Sequence, residues 1–374
     1  MITSDYYAWQ DQELQIGEEI IRHATKPGLP DTLMAEQLLA QTIEVQSGER
    51  ALILNCGSGL VGAALLKRSA MISMFDDSVI AVEASRRTLS LNGFEASHVQ
   101  AGDPELEPRR YDLAIVIAPK GREVGRRLLA QAAQQVKPGG RVYLSGANRT
   151  GIKGLIDDAA EIIGPTIVLK IKASHRTALS ERTALEFELR QDYAQFDVEV
   201  RGRVWRYVAR PGVFSWDRLD EGSRILIESM QIDRDDTVLD LGCGSGIVGL
   251  IAATLSRRVI SVDASASAVE ATRRTYELNQ VRNTEVRLSD CASAVFDLQF
   301  DAVVTNPPFH QGIGTDYAVA RQFVLDAARV VKPGGRLWLV ANRFLRYERE
   351  MADRFSEVAV AYQDNRYRVL VARK

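Results

Sequence analysis

Short β-branched segments alternate with amphipathic segments along this chain, and the alternation predicts parallel sheets covered by helices on both faces. The pattern is clearest in the second half of the sequence. It predicts strands at 237–241, 258–262, 285–288, 301–305 and 336–341, and helices at 219–231, 249–256, 266–279 and 318–331. Segments 357–362 and 367–372 are expected to close the sheet as an antiparallel hairpin.

The sequence also predicts a hairpin and a turn in the second half of the chain. Segments 196–200 and 203–208 flank Gly202 and predict a hairpin that opens the second half. Lys332-Pro333-Gly334-Gly335 is expected to be a turn, because its proline ends the preceding helix and its glycines permit a reversal of the chain.

The sequence contains an internal repeat. Residues 51–62, ALILNCGSGLVG, match residues 238–249, VLDLGCGSGIVG, at an offset of 246 − 59 = 187 positions. The offset holds through Asp76 and Asp263 to Asp103 and Asp290, and VKPGGR at 136–141 recurs at 331–336 with an offset of 331 − 136 = 195. A match of this length indicates two copies of one fold. We predict two domains, 1–185 and 186–374.

The composition limits the class of protein and its expected location. The chain has 374 residues, 46% hydrophobic and 26% charged, which is typical of a globular protein with two ordinary domains. No apolar run approaches the ~20 residues of a membrane span. Three dispersed cysteines indicate a reducing compartment, and four histidines form no metal-ligand pattern. The cytoplasm is the expected location.

The net charge of −2 does not by itself indicate a nucleic-acid binder. Local basic clusters occur nevertheless, and each can be either a solvated surface or a phosphate-binding patch. They are Arg109 and Arg110; Lys120, Arg122, Arg126 and Arg127; and Arg201, Arg203, Arg206 and Arg210.

A glycine turn follows the first predicted strand of the second copy. Gly242, Gly244 and Gly246 permit positive φ and close approach of a ligand to the backbone. With Gly249 the turn also fits a dinucleotide fingerprint, which is a weak signal when taken alone. Asp240, just before the turn, separates the two interpretations. A carboxylate there would repel a pyrophosphate but suits the ammonium and sulfonium of S-adenosylmethionine.

Two further acids have suitable positions for that cofactor. Asp263 ends the second strand, where it could bind ribose hydroxyls. Asp290 follows the third strand and offers an acceptor for the adenine amino group.

Asn306-Pro307-Pro308-Phe309 ends the fourth strand. Each proline fixes φ and lacks a backbone N–H, so the strand stops abruptly in a rigid loop. The loop presents an amide side chain, unpaired carbonyls and an aromatic face at the sheet edge where ligands bind in open α/β sheets.

These motifs together resemble the class I S-adenosylmethionine-dependent methyltransferases. The tandem arrangement, the Pro211–Ser215 segment and His310 after the loop resemble, more narrowly, the ribosomal RNA guanine-N2 methyltransferases of the RsmC and RlmG type. The resemblance implies two Rossmann-like domains, each a mostly parallel seven-stranded sheet with an antiparallel terminal hairpin. It also implies a catalytic second copy that methylates the exocyclic N2 amine of a guanine in ribosomal RNA.

The loop residues fit such a reaction. The Asn306 side-chain oxygen, which would also lie at the cofactor, and the Pro307 carbonyl could each accept one N–H of the amine and turn its lone pair toward the methyl group. Phe309 would stack on the base, or else pack in the core. His310 could steer the substrate or bind the loop. Phe214 could close over the cofactor or the base, or simply pack.

The first copy lacks the chemistry. Ile53 replaces Asp240, Asn55 replaces Gly242, and Ile117-Ala118-Pro119-Lys120 replaces the loop, although Asp76 and Asp103 survive. We predict a non-catalytic domain that serves RNA docking or stability, with Lys120 and Arg122 as candidate RNA contacts.

Other interpretations remain open. Asn-Pro-Pro-aromatic loops also resemble those of adenine-N6 and protein-glutamine methyltransferases, whose acceptors are likewise planar amines. A non-enzymatic RNA-binding protein fits the first copy but not the second. The motifs are shared by enzymes of both ribosomal subunits; small-subunit RNA is the favoured substrate and large-subunit RNA stays possible. The internal duplication favours a monomer.

Overall fold

The computed structural model describes residues 6–105, 110–183, 193–308 and 315–374, and it divides the chain into two compact units. The N-terminal unit is Tyr7–Asp192, and the C-terminal unit is Tyr193–Lys374 together with Met1–Tyr6. The predicted boundary between residues 185 and 186 falls outside the described residues.

The N-terminal unit contains a hairpin followed by alternating strands and helices. Its strands are β1 Gln10–Ile16, β2 Glu19–Thr25, β3 Arg50–Leu54, β4 Met71–Asp76, β5 Val99–Ala101, β6 Tyr111–Ile117, β7 Val136–Ala147, β8 Thr166–Lys172 and β9 His175–Glu181. Its helices are α1 Leu33–Thr42, α2 Leu60–Lys67, α3 Val79–Leu91, α4 Arg122–Gln135 and α5 Ile152–Ile162. β1 and β2 form a separate hairpin, and the others form a seven-stranded sheet ordered β5-β4-β3-β6-β7-β9-β8.

The C-terminal unit repeats this plan. Its strands are β10 Ala194–Val200, β11 Arg203–Ala209, β12 Thr237–Leu241, β13 Arg258–Asp263, β14 Thr284–Leu288, β15 Phe300–Thr305, β16 Val331–Asn342, β17 Glu357–Gln363 and β18 Tyr367–Arg373. Its helices are α6 Glu221–Ser229, α7 Ile247–Leu255, α8 Ala266–Leu278, α9 Thr315–Val330 and α10 Glu348–Ala352. β10 and β11 form the hairpin, and the seven-stranded sheet is ordered β14-β13-β12-β15-β16-β18-β17.

The two sheets have the same order, so the predicted duplication and fold class are confirmed. In the C-terminal sheet β14, β13, β12, β15 and β16 run parallel, and β18 and β17 add an antiparallel hairpin. The strands are rich in buried β-branched residues because helices cover both faces of a parallel sheet. The predicted opening hairpin is also confirmed, with Arg201 and Gly202 at positive φ between β10 and β11.

The prediction of a turn at Lys332–Gly335 was wrong. These residues lie within β16, which begins directly after α9 ends at Val330. Gly334 has φ +78°, its N–H donates to the carbonyl of Lys374 at 2.8 Å, and the pairing register with β15 shifts between Phe300 and Ala302. The glycine therefore makes a bulge inside a continuing strand instead of reversing the chain.

Parallel strands bring their carboxyl ends to a single edge of the C-terminal sheet. The ends of β12, β13, β14, β15 and β16 all lie there, which places the residues after each strand along one surface. Within the parts of the chain that the structure describes, no helix is both long and apolar enough to cross a membrane.

Candidate cofactor and substrate site

The carboxyl edge of the C-terminal sheet collects most of the predicted site. Asp240 and the glycine turn lie at the end of β12, Asp263 ends β13, Asp290 follows β14, and Asn306 follows β15. Phe309 and His310 lie outside the described residues, so their predicted positions stay predictions.

Asp240 is a buried carboxylate, with 2% of the residue exposed. Its Oδ2 accepts a hydrogen bond from the Gly249 N–H at 2.9 Å. Burial raises its pKa to about 7, the Gly249 N–H lowers it, and the charge of Asp263 raises it further. No lysine or arginine among the described residues forms an ion pair with it. A cationic ligand group would therefore stabilise its charged form.

Gly249 is needed for this burial. A Cβ at that position would lie 2.1 Å from Tyr276 Oη and 2.7 Å from Asp240 Oδ2. Tyr276 shares a hydrogen bond of 2.5 Å with Ser261 Oγ behind the strand. The bare backbone of α7 thus allows the helix to approach Asp240 closely.

The glycine turn has the conformation that its sequence predicts. Gly242, Gly244 and Gly246 have φ of 80°, 56° and 81°, and a Cβ on Gly244 would meet no atom within 4 Å. Asp263 holds the turn in place, since its Oδ2 accepts from the Gly244 N–H and its Oδ1 from the Ser265 N–H, both at 2.9 Å. The turn is therefore rigid and has open space on its outer side.

Two backbone donors of this turn are available to a ligand. The N–H groups of Ser245 and Ile247 form no hydrogen bond with any described part of the chain, and they lie at the N-terminus of α7. A helix N-terminus attracts anions through its unpaired N–H groups and its dipole. The site thus offers two N–H donors that suit the carboxylate of a ligand. Near them it offers the carboxylate of Asp240, which suits the ammonium of a ligand. This pair matches the two charges of an amino acid.

Tyr6 is a site residue that sequence reasoning missed. Its hydroxyl donates to Asp290 Oδ1 at 2.9 Å, and both residues are buried. Burial, with Cys291 and Asp290 nearby, raises the pKa of Tyr6 far above its usual value, so the hydroxyl stays a donor. The two residues are 284 positions apart, and no local pattern signals the contact.

The Asn306 amide is held in one orientation. Its Nδ2 donates to Asp220 Oδ2 and to Ser223 Oγ, each at 2.9 Å. Its Oδ1 has no partner among the residues that the structure describes. Asp220 also caps α6 through the Ser223 N–H at 2.9 Å. The amide oxygen is thereby left for another molecule.

Asp220 and Ser223 were also missed. The spacing Asp220-x-x-Ser223 before an apolar run is recognisable as a helix cap. The second role of both side chains, on an asparagine 83 or more residues away, cannot be read from that spacing. Of the other predicted residues, Pro307 is buried, Pro308 is exposed, and Phe214 is 56% exposed.

Most arginines of the basic clusters are engaged within the protein. Arg122 and Arg126 both pair with the buried Asp158, although the Arg122 side chain is 65% exposed. Arg201 donates to the carbonyls of Ile227 and Met230 at the end of α6, and the Arg203 guanidinium lies 4.0 Å from the Trp205 ring centroid. Lys120 is exposed, and Arg109 lies outside the described residues.

In the N-terminal unit, a side chain of the protein occupies the corresponding glycine turn. Glu36 of α1 is fully buried and accepts from the Ser58 N–H at 3.0 Å, the Leu60 N–H at 3.1 Å and Ser58 Oγ at 2.8 Å. Ser58 and Leu60 correspond to Ser245 and Ile247 at the offset of 187. The two donors that are available in the C-terminal unit are thus occupied here.

The remainder of that site is closed as well. The Asn55 Nδ2 donates to the Ile117 carbonyl at 2.9 Å, and Arg127 of α4 forms an ion pair with Asp103, the counterpart of Asp290. The cavity between these residues measures about 30 Å³, which is room for about one water molecule. Ligand pockets of drug-sized molecules are about tenfold larger or more.

The fold and the C-terminal site define a class I S-adenosylmethionine-dependent methyltransferase. The model of the methyltransferase small domain family matches residues 33–164 and 204–371. Ribosomal RNA small subunit methyltransferase C of Chromohalobacter salexigens is 34% identical over 266 residues, covering 70% of this chain and 78% of that protein. The Pseudoalteromonas atlantica protein of the same name is 29% identical and covers 91% and 99%.

A solved structure is similar over the whole chain. The T. thermophilus 16S rRNA N2 G1207 methyltransferase (RsmC), in complex with AdoMet and guanosine, has a TM-score of 0.84 and 29% identity, with 98% of each chain covered. This chain belongs to the methyltransferase small domain family and, within it, to the group that contains these methyltransferase C proteins. Its cofactor is S-adenosylmethionine.

We expect cofactor affinity to weaken as the pH falls through about 7, the pKa of Asp240. The protonated carboxyl is neutral and cannot attract the ligand's ammonium, whereas the ammonium itself loses its proton only above about 8. Calorimetry with S-adenosylhomocysteine between pH 6 and 8, in two buffers of different ionisation enthalpy, should also show proton release on binding. Asp240→Asn should bind weakly without this pH dependence. Constant wild-type affinity across the range would refute the assignment.

We expect Tyr6→Phe to weaken S-adenosylhomocysteine binding by about tenfold, since the buried Asp290, the expected partner of the adenine, would lose a hydrogen-bond donor, at about 1–3 kcal/mol. Tyr7→Phe is the matched control, because the Tyr7 ring instead faces Lys26. Equal affinities of the two variants, or tighter binding by Tyr6→Phe, would show that the contact does not support the cofactor.

Proposed function

We propose that this protein transfers the methyl group of S-adenosylmethionine to the exocyclic N2 amine of a guanine in small-subunit ribosomal RNA, with the C-terminal unit as the catalyst. The observation that carries the proposal is the Asn306 amide, whose nitrogen is bound by Asp220 and Ser223 and whose oxygen has no partner among the residues that the structure describes. The names of the relatives support the RNA substrate, and the T. thermophilus structure supports N2 of guanine.

The cofactor supplies an electrophilic methyl group on its sulfonium. The acceptor nitrogen of guanine is a poor nucleophile because its lone pair is delocalised into the ring. Asn306 Oδ1 and the Pro307 carbonyl would each accept one N–H, which draws the nitrogen toward tetrahedral geometry and frees the lone pair for attack. After transfer the nitrogen gives up one proton to the solvent, and positioning supplies most of the acceleration.

The protein residues around the cofactor divide its recognition among them. In this proposal Asp240 binds the ammonium, the Ser245 and Ile247 N–H groups bind the carboxylate, Asp263 binds the ribose, and Asp290 binds the adenine amino group. The glycines at 242, 244 and 246 allow the backbone to approach. These roles are the ones expected from the sequence, except those of the Ser245 and Ile247 N–H groups.

The remaining predicted residues would act on the substrate. Phe309 would stack on the guanine, at about 1–3 kcal/mol for comparable contacts, and Pro308 would keep the loop rigid. Phe214, already exposed, would close over the base. His310 would steer the substrate. A paired guanine would first have to be unstacked.

The N-terminal unit would not catalyse. Its cofactor site is filled by Glu36, Asn55 and Arg127, so the unit is left to dock RNA or to stabilise the protein. Lys120 and Arg122 are exposed and follow β6 at the carboxyl end of its sheet. Three buried cysteines that form no disulfide fit a reducing cytoplasm, where ribosomal subunits are assembled.

A methyltransferase acting on adenine N6 or on a protein glutamine would use the same amide geometry. The relatives favour the guanine reaction. Mapping methylated nucleotides in ribosomal RNA, with and without the protein, decides among them. We expect one N2-methylguanine in small-subunit RNA that disappears without the protein. A methylated adenine, a methylated glutamine or unchanged RNA would overturn the proposal.

We expect Asn306→Ala to lower kcat by at least about 10²-fold while cofactor affinity stays within about twofold, because the amide positions the acceptor amine whereas the cofactor keeps its contacts with the acids and the glycine turn. Single-turnover methylation and calorimetry measure the two quantities. Retained turnover would refute the role of the amide.

We expect Asp220→Ala to lower kcat by ~10-fold or more, because the Asn306 amide loses one of its two orienting acceptors. The substitution also removes a helix cap, at about 1 kcal/mol of stability. Ser78→Ala removes the cap of α3 in the N-terminal unit and is the matched control. Equal kcat for the two variants would show that Asp220 acts only on stability.

A further inference from the structure

A second surface feature lies at the carboxyl edge of the C-terminal sheet. It is a groove of about 530 Å³. The residues that line it are Asn342, Arg343, Phe344, Asn365 and Arg366. We call it the edge groove. None of its residues belongs to the cofactor site or to the Asn306 loop.

The register of the sheet fixes where the edge groove lies. β15 and β16 are parallel, and Thr305, just before Asn306, pairs with Leu339. Asn342 is three residues further along β16, a distance of about 10 Å at ~3.3 Å per residue. Asn342 pairs with Tyr367, where β18 begins, so the turn at 364–366 lies at the same edge. The groove is therefore a nucleotide or two from the acceptor loop.

The two sides of the groove are fastened together. The Arg343 N–H donates to the Arg366 carbonyl at 2.8 Å. Asp364 Oδ1 accepts from the N–H groups of Arg366 and Tyr367, each at 2.7 Å, which holds the pKa of that carboxyl below its usual range. The turn is thus formed before any ligand binds.

The chemistry of the lining is unusual for a protein surface. Phe344 is 64% exposed, although a phenylalanine is normally buried. Both arginines beside it are exposed, and the other two lining residues are asparagines. No lining residue carries a negative charge. The groove thus combines a flat aromatic face with cations and amide hydrogen-bonding groups.

This combination fits a nucleotide. Proteins that bind single-stranded RNA stack bases on exposed aromatic rings and hold phosphates with arginine. An acidic peptide would satisfy the arginines but would leave the exposed ring without a partner of its own shape.

We propose that the edge groove binds a nucleotide of the RNA strand next to the methylated guanine. The base stacks on Phe344, and Arg343 and Arg366 contact the backbone phosphate. This assignment rests on the proposed function, since it supplies the second point that positions the RNA strand. With the guanine in the Asn306 loop and its neighbour in the groove, the strand is held at the reacting nucleotide and at the one next to it.

Methylation of two substrates by the full-length protein tests the groove. Small-subunit ribosomal RNA can occupy both the loop and the groove, whereas guanosine has no neighbouring nucleotide. We expect Phe344→Ala to lower kcat/KM for the RNA by between about 5-fold and 150-fold, the range of base stacking contributions. Turnover of guanosine and the affinity for S-adenosylhomocysteine should stay within about twofold.

Matched variants separate stacking and charge from folding. Phe344→Tyr should keep the turnover of RNA. Val360→Ala alters an exposed apolar residue on β17 and should change the turnover of neither RNA nor guanosine. The double change Arg343→Ala and Arg366→Ala should make RNA binding less dependent on salt by about one phosphate contact or more.

The outcomes decide the assignment. The assignment of the groove would be overturned if kcat/KM for RNA were unchanged in Phe344→Ala, or if kcat/KM fell equally for RNA and guanosine. Either result would leave the proposed function in place. Absence of RNA methylation by the wild-type protein would overturn the proposed function, and the groove assignment with it.

Discussion

The glycine turn at the end of the first core strand can bind a side chain of the protein or a ligand, but not both. Its free N–H groups stand at a helix N-terminus, where a carboxylate is strongly attracted. In the N-terminal unit that carboxylate is Glu36. The equivalent position in the C-terminal unit, 36 + 187, is Ser223, which is too short to reach the turn and instead binds the Asn306 amide. The same position, in α1 and in α6, thus fills the turn of the N-terminal unit and orients the Asn306 amide of the C-terminal unit.

The other groups of the site follow from this difference. In the proposed function an amino-acid moiety enters the open turn, and its ammonium would balance the charge of the buried Asp240. In the N-terminal unit, where Glu36 fills the turn, no ligand cation can enter. Ile53 stands at the position that corresponds to Asp240, and it carries no charge that would need a partner. Arg127 likewise neutralises Asp103, whereas Asp290 keeps its place beside the hydroxyl of Tyr6. The equivalent acids Asp103 and Asp290 thus have different partners, a guanidinium in one copy and a hydroxyl in the other.

The strands, the duplication and the location of the glycine turn could be predicted from the sequence, because they depend on local periodicity and on spacing along one strand. The contacts of Tyr6, Glu36 and Asp220 could not, since each depends on which distant side chain folding brings to the edge. The Lys332–Gly335 segment was predicted wrongly for a related reason. A glycine with positive φ permits a bulge as well as a turn, and only the neighbouring strands decide between them.

The central claim is that one of the two copies is open to the cofactor and the other is filled by its own side chains. The stoichiometry of S-adenosylhomocysteine binding to the full-length protein, measured by calorimetry, tests it most directly. We predict one molecule per chain, bound with an affinity that Asp76→Asn in the N-terminal unit leaves unchanged and that Asp240→Asn weakens. Two molecules per chain, or one that depends on Asp76 and not on Asp240, would contradict the account.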